Sequence, residues 1–329
     1  MGEFDLIARY FTRPVRWAAL GVGDDCALLA PAPGMQLAVS SDMLVEGRHF
    51  FADVDPEALG HKALAVNLSD LAACGAKPLA FTLALSLPRV DEPWLAGFSR
   101  GLLALADAHG CELVGGDTTQ GPLNICITVF GEVPTSQALL RSGARPGDDI
   151  YVSGTLGDAR LALEALLGHI TLPADLLSRA RQRLERPTPR VALGLALRGV
   201  ARSAMDVSDG LLGDLSHLLQ ASGVGARIET HITSKLIAES AYPSSAISQF
   251  DAELIHQCTL ASGDDYELVF TAPPALRDAV AAASRESGTP VTGIGTVRPE
   301  PGLQLVDAQG QPVVNRYASF DHFGQTHSG

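Results

Sequence analysis

Asp55-Pro-Glu-Ala-Leu-Gly-His-Lys-Ala-Leu-Ala-Val-Asn-Leu-Ser-Asp-Leu-Ala-Ala-Cys-Gly-Ala-Lys-Pro78 carries the clearest local-structure signal in the chain. Asp55 is an N-cap, and Pro56 occupies the first helical position, where its missing N–H costs nothing. Gly75 supplies a C-terminal cap and Pro78 bars continuation, so a helix is predicted from Pro56 to about Cys74. Leu59, Ala63, Val66 and Asp70 advance by four, three and four and share one stripe of that helix. Asp70 therefore lies on an apolar face, where a lone charge is expensive and needs a partner, with a metal ion as the best candidate.

Strands are predicted on either side, over residues 35–45 and Phe81–Leu87. A second helix is expected from about Pro93 to His109, ended by Gly110, then a short strand Glu112–Val114 and a β-rich run over 124–132. The alternation predicts an α/β (α+β) first domain. The turn-rich stretch Val133–Asp149 is the expected boundary, giving domains of residues 1–136 and 137–329. Beyond it come a strand at 150–154, helices near 158–167, 175–185 and 189–199, a strand at 202–207 and a helix at 211–220. Strand, helix and strand then follow at 266–271, 274–287 and 291–297, and the end after Phe323 is expected to fray.

A chain of 329 residues suits two domains. Its net charge of -13 disfavours nucleic acid or an anionic membrane as partner. No apolar stretch approaches the ~20 residues of a membrane span, and Met1-Gly-Glu-Phe-Asp5 lacks the features of a signal peptide. The five cysteines are scattered, with no Cys-x-x-Cys pair, and read as reduced cytosolic thiols.

Five stretches place aspartate after an apolar run, beside glycine, serine or asparagine. They are Gly21-Val-Gly-Asp-Asp25, Ser40-Ser-Asp-Met-Leu-Val-Glu-Gly47, Asn67-Leu-Ser-Asp70, Gly115-Gly-Asp-Thr118 and Met205-Asp-Val-Ser-Asp-Gly210. Converging carboxylates repel by roughly 4 kcal/mol per pair at about 4 Å and an effective dielectric near 20. Hard oxygens of this kind select Mg2+ or a relative. Three of the stretches alone also have a plainer reading: a solvated turn at Asp25, an Asx-turn or cap at Asp42, an N-cap at Asp209. Asp206 and Asp209 bracket a strand-to-helix turn whose N–H groups and Ser208 hydroxyl suit a phosphate. Arg141 could fork onto phosphate oxygens or be a surface arginine, and His49 alone says little. Gly147-Asp148-Asp149 reads as a turn entering a strand. No Gly-x-x-x-x-Gly-Lys-Ser/Thr run occurs, and spacing supports no Ser-His-Asp or Cys-His arrangement. That pattern suits metal-assisted phosphoryl transfer to an acceptor that is already an anion and needs no general base.

In order and spacing these stretches resemble the thiamine-monophosphate kinase family of the aminoimidazole ribonucleotide synthetase superfamily. So do Lys62–Ala72, Ser262-Gly-Asp-Asp-Tyr-Glu267 and the ending Ser319-Phe-Asp-His-Phe323. The resemblance covers nearly the whole chain. It implies a two-domain fold, with an N-terminal domain that dimerises through its sheet and a C-terminal α/β domain. It also implies transfer of phosphate from ATP to thiamine phosphate, in line and assisted by several Mg2+ ions. Carried over residue by residue, it makes Asp25, Ser40, Ser41, Asp42, Asp70, Asp117, Asp206 and Asp209 metal ligands. Gly116, Asp117, Arg141 and Ser208 would contact ATP, and His49, Asp264 and Phe320 the thiamine phosphate. Asp264 stands where the family carries glutamate, and Phe320 where it often carries a larger aromatic that stacks on the thiazolium. The implied protein is a cytoplasmic homodimer. A ribonucleotide-cyclising ligase of the same superfamily is the alternative enzyme, and a non-catalytic metal- or nucleotide-binding protein the alternative of another class.

Overall fold

A computed structural model describes residues 3–22, 26–237, 250 and 252–317. Asp25, Phe320 and the chain end after Phe323 lie outside the described residues. The chain divides into two compact units, one of residues 1–138 with 185–191, the other of 139–184 with 192–329.

The first unit contains helix α1 (Glu3–Tyr10), strand β1 (Met35–Val45), helix α2 (Pro56–Ala73), strand β2 (Lys77–Leu87), helix α3 (Glu92–His109) and strands β3 (Glu112–Gln120) and β4 (Asn124–Pro134). The strands form one sheet in the order β1-β4-β2-β3. Only β2 and β3 run parallel. The expected cap at Asp55 is present, its carboxylate accepting from the Glu57 and Ala58 N–H groups, and the structure adds a second at Asp91, which accepts from Trp94 N–H. Helix α2 is buried on nearly every side, because it packs against β1 and β4 and also against α3. Such a position calls for apolar residues around most of the helix, with buried polar side chains such as Lys62 and Asn67 held by hydrogen bonds. The two helices approach closely at Gly60 and Gly101, where an added Cβ would lie 2.0 Å from Phe98 O and 1.8 Å from Glu57 O. Phe81, Leu85, Ile125 and Val129 fill the space between sheet and helices.

The second unit contains β5 (Asp149–Ser153), α4 (Asp158–Leu166), α5 (Ala174–Glu185, whose last residue falls in the first unit), β6 (Ser203–Val207), α7 (Leu211–Ser222), β7 (Gly225–Glu229), α8 (Thr230–Thr233), α9 (Ala252–Ala261), β8 (Glu267–Ala272), α10 (Arg277–Ser287), β9 (Val291–Arg298), β10 (Gly302–Val306) and β11 (Pro312–Val313). The short helix α6 (Val191–Ala196) begins at the return to this unit. The sheet order is β11-β10-β7-β9-β5-β8-β6, with only β7 and β10 parallel. Its core is built from Ile150, Val152, Val207, Leu215, Ile228, Val269 and Ile294. The predicted helix over 189–199 is shorter than expected, and the helix predicted from 274 opens as a 3-10 turn before α10. Strand β3 runs to Gln120 rather than stopping at Val114, because parallel pairing with β2 carries it through Gly115 and Gly116.

Candidate functional site

In the first unit, alternation along β1 separates two sets of side chains. Leu44 is buried against the helices, so Ser40 and Asp42, which share its parity, face the helix-covered side. Leu37, Val39 and Met43 point outward and are exposed. Two ties fasten the inward set to α2. The Ser40 hydroxyl donates to Asp70 Oδ2, and the Asp42 N–H donates to Asn67 Oδ1 at 3.1 Å. Asn67, itself fully buried, is held by donation from its Nδ2 to Ala63 O. Asp70 is thus found beside β1, on the face its spacing predicts, with a serine hydroxyl as its partner.

Ser41 faces the other way. Its hydroxyl lies 3.0 Å from Thr128 Oγ1 and 3.1 Å from Ile127 O. Asp117 also projects outward. Its neighbour Thr118 is buried and pairs with Leu85 on the helix side, whereas Asp117 is exposed and pairs with Ala84. Strands β1 and β3 are opposite edges of the sheet, three interstrand spacings or about 14 Å apart. Within one chain, then, Ser40, Asp42 and Asp70 come together, while Ser41 and Asp117 occupy the other face. Gly116 is required where it stands, since its φ is 147° and a Cβ would lie 1.9 Å from Leu83 O.

His49 follows β1 in a tight turn. Its Nδ1 accepts the Val45 N–H at 3.0 Å, which places the neutral ring's proton on Nε2. The buried Lys62 of α2 donates to His49 O at 3.4 Å and steadies the turn. Neither Lys62 nor Asn67 was singled out from sequence. Their spacing before Asp70, eight and three residues on the same helix, is the signal that places them towards β1.

In the second unit, Asp206 is buried at the end of β6, and Ser208 and Asp209 are half-buried in the turn to α7. The N–H groups of this turn, which the sequence offers to a phosphate, are already taken. Those of Ser208, Asp209 and Gly210 all donate to Asp214 Oδ2, at 3.0, 3.1 and 3.1 Å. Those three backbone N–H groups are therefore closed to an outside ligand. Burial pushes the Asp214 carboxyl up to about 7, against the lowering effect of those donors.

Beside this turn runs Ser262–Glu267. The Asp264 N–H donates to Ser208 O and the Tyr266 N–H to Val207 O, at 2.9 and 2.8 Å. Asp264 and Tyr266 both adopt positive φ, 68° and 50°, which non-glycine residues adopt only when their surroundings hold them there. Between them Asp265 is buried, its carboxylate accepting the Gly157 N–H through both oxygens at 2.9 and 3.0 Å. Burial pushes its carboxyl well up, although Arg183 and the Gly157 N–H pull the other way. Arg183 also forms a 2.7 Å ion pair with the buried Glu267, whose other oxygen accepts from Ser153 Oγ. The strained backbone thus presents Asp264 half-exposed while its two acidic neighbours are anchored. Gly263 permits the approach: a Cβ there would lie 2.2 Å from Ser208 O. Arg141 is exposed, its main chain fixed by Ser222 Oγ donating to Arg141 O.

The donor chemistry fits Mg2+: hydroxyl and carboxylate oxygens, with no thiolate among them. Among the described residues no three His, Cys, Asp or Glu side chains gather as a metal-holding group. One or two carboxylates completed by substrate phosphates is the usual Mg2+ arrangement, and Asp42 with Asp70, or Asp206 with Asp209, suit it.

Residues 23–133 match AIR synthase related protein, N-terminal domain, and residues 145–308 the corresponding C-terminal domain. The chain is 46% identical over 335 residues to thiamine-monophosphate kinase of Salmonella typhimurium (strain LT2), covering 98% of each. It is similar to the crystal structure of thiamine-monophosphate kinase from Stenotrophomonas maltophilia K279a, with 43% identity, a TM-score of 0.81 and coverage of 94% of this chain and 96% of that one. A structure of AaThiL complexed with AMPPCP and TMP is 31% identical with a TM-score of 0.75, covering 89% of each chain. Identity at this level along the full length of both chains means that this chain belongs to the thiamine-monophosphate kinase family of AIR synthase related proteins.

Proposed function

We propose that the protein phosphorylates thiamine monophosphate to thiamine diphosphate with ATP, by direct in-line transfer assisted by several Mg2+ ions. The observation that carries this is the full-length likeness to relatives of that name, one of them solved with AMPPCP and TMP. The gathering of Ser40, Asp42 and Asp70 on one face supports it.

An oxygen of the acceptor phosphate attacks the γ-phosphorus of ATP, and the bond to the ADP oxygen breaks. The acceptor is already anionic, so no side chain need remove a proton. Bound Mg2+ would neutralise charge on the phosphates and orient them. Asp25, Ser40, Ser41, Asp42, Asp70, Asp117, Asp206 and Asp209 are the proposed ligands. Gly116, Asp117, Arg141 and Ser208 are assigned to ATP, and His49, Asp264 and Phe320 to thiamine phosphate. The Nε2–H of His49 suits an acceptor oxygen, and the shorter Asp264 is supported in its half-exposed position by the strained turn. Residues 1–136 would carry dimerisation and most metal contacts, and 137–329 the remainder.

We assign the protein as a homodimer because Leu37, Val39 and Met43 leave an apolar outward face on the first sheet. Asp117 projects from that same face, so in a dimer built on it Asp117 lies towards the second copy. A cytoplasmic location is assigned from the ATP substrate and five free cysteines. No helix among the described residues is long and apolar enough to cross a membrane.

The test is ADP release by purified protein with Mg-ATP and thiamine phosphate, free thiamine or no acceptor, with the product identified by mass. Turnover with thiamine phosphate alone, yielding thiamine diphosphate, is expected. A folded, ATP-binding protein that is silent with thiamine phosphate would shift the assignment to ribonucleotide-cyclising chemistry.

A further inference from the structure

We propose that Asp214 is a positioning residue for the reaction, setting the geometry of Ser208, Asp209 and, through them, Asp264. This rests on the kinase assignment above but on different observations. Asp214 is the fourth residue of α7 and folds back over the helix mouth. One of its oxygens receives three successive N–H groups, from Ser208, Asp209 and Gly210. Three N–H groups converging on one point form an anion-binding concavity, which here is filled by the chain's own carboxylate. It extends the reciprocal capping seen when an acidic side chain near a helix start reaches back to the cap.

The arrangement fixes more than the helix end. A turn whose three N–H groups are held at one atom has little freedom left in its φ and ψ angles. The side chains of Ser208 and Asp209 therefore leave the turn in set directions. The same turn is joined to the next segment by Asp264 N–H donating to Ser208 O and Tyr266 N–H to Val207 O. Gly263 lies against Ser208 O with no room for a side chain. Asp264, in its left-handed conformation, rests on that seam. Asp214 is only 1% exposed, so it has no direct access to nucleotide or thiamine phosphate. Its influence passes through the backbone, and its acceptor geometry matters more than its charge.

The distinction is testable with Asp214→Asn, which keeps an acceptor oxygen, and Asp214→Ala, which removes it. Asp214→Ala is expected to lower kcat by about 10- to 100-fold and to raise the half-saturating Mg2+ concentration about 10-fold, the usual loss when a supporting partner of a metal ligand is removed. Asp214→Asn should restore both to within about threefold of the parent, since its Oδ1 can still accept the three N–H groups and hold the turn's geometry. A folded Asp214→Ala with parental kcat and Mg2+ requirement would overturn the proposal, as would an Asp214→Asn as impaired as the alanine variant. Should Asp214→Ala not fold, hydrogen exchange of the parent protein decides: slow exchange at the Ser208, Asp209 and Gly210 amides supports the clamp, and exchange at open-turn rates overturns it. Mg-ATP affinity is measured on the same variants. If the parent binds Mg-ATP without turning over thiamine phosphate, the kinase assignment fails while the Mg-ATP affinities still report on the turn.

Discussion

The Ser40 hydroxyl donates a hydrogen bond to Asp70 Oδ2, joining strand β1 to helix α2 across 30 positions of sequence. Asp42, two residues along the same strand face, is tied to the same helix through Asn67. Two carboxylates and a hydroxyl are thereby held on rigid elements rather than loops, the arrangement in which a metal–phosphate site keeps its geometry.

In its proposed role as a metal ligand, Asp70 supplies several kcal/mol of charge stabilisation in the transition state, so Asp70→Asn is expected to lower kcat by about 100-fold or more. The fold should survive, since the amide can still accept from Ser40. Steady-state kinetics alongside circular dichroism check this; a near-normal kcat in the folded variant would remove Asp70 from the metal site.

Gly101→Ala should destabilise the first unit by roughly 1–3 kcal/mol, the usual cost of overpacking. The added methyl would overlap Glu57 O at the crossing of α2 and α3, and backbone cannot swing aside as a side chain can. Urea denaturation measures the change. An unchanged midpoint would mean that the two helices are free to separate.

His61 and His109 make stability depend on pH. Burial holds both below the usual value of 6.5, and for His61 a hydrogen bond with Pro187 O at 2.9 Å opposes the shift. The unfolded chain therefore takes up protons that the folded chain refuses. Stability from these groups is fully present above about pH 6.5 and is lost as pH falls through their lower folded values. Melting temperatures at pH 7.5 and 5.5 should show a larger fall for the parent than for His61→Gln, whose amide can still donate to Pro187 O. Equal falls would exclude His61 as a contributor.

In the homodimer proposed above, Val39→Asp is expected to give a monomer, because it places a charge in the outward apolar face beside Leu37 and Met43. Light scattering on both proteins reads the mass directly. A dimeric variant would move the interface elsewhere.

Much of the local structure was legible in sequence. Asp55-Pro56 and Gly110 mark helix ends by residue chemistry, and both ends lie where those signals put them. Strand β7 and its partner β10 escaped notice: each is only five residues long, and their parallel pairing joins segments far apart in the chain. Asp214 escaped for another reason. Its signal is a contact with the turn before its helix, and an acidic residue in a first helical turn reads as ordinary dipole compensation.

The aspartate-rich stretches, their hard-oxygen chemistry and the family they resemble were determined by the sequence itself, because residue type and spacing are local properties. Which aspartates meet was decided by tertiary structure. The period of two along a strand sends Ser40 and Asp42 to one face and Ser41 to the other. The sheet order then puts Asp117 at the far edge, on the face opposite Asp70. The same folding-back closes the Ser208–Gly210 turn on Asp214, giving to an internal carboxylate the N–H groups that the sequence alone offers to a phosphate. Backbone donors go to the acceptor that chain packing brings within 3 Å, and no linear pattern records that distance.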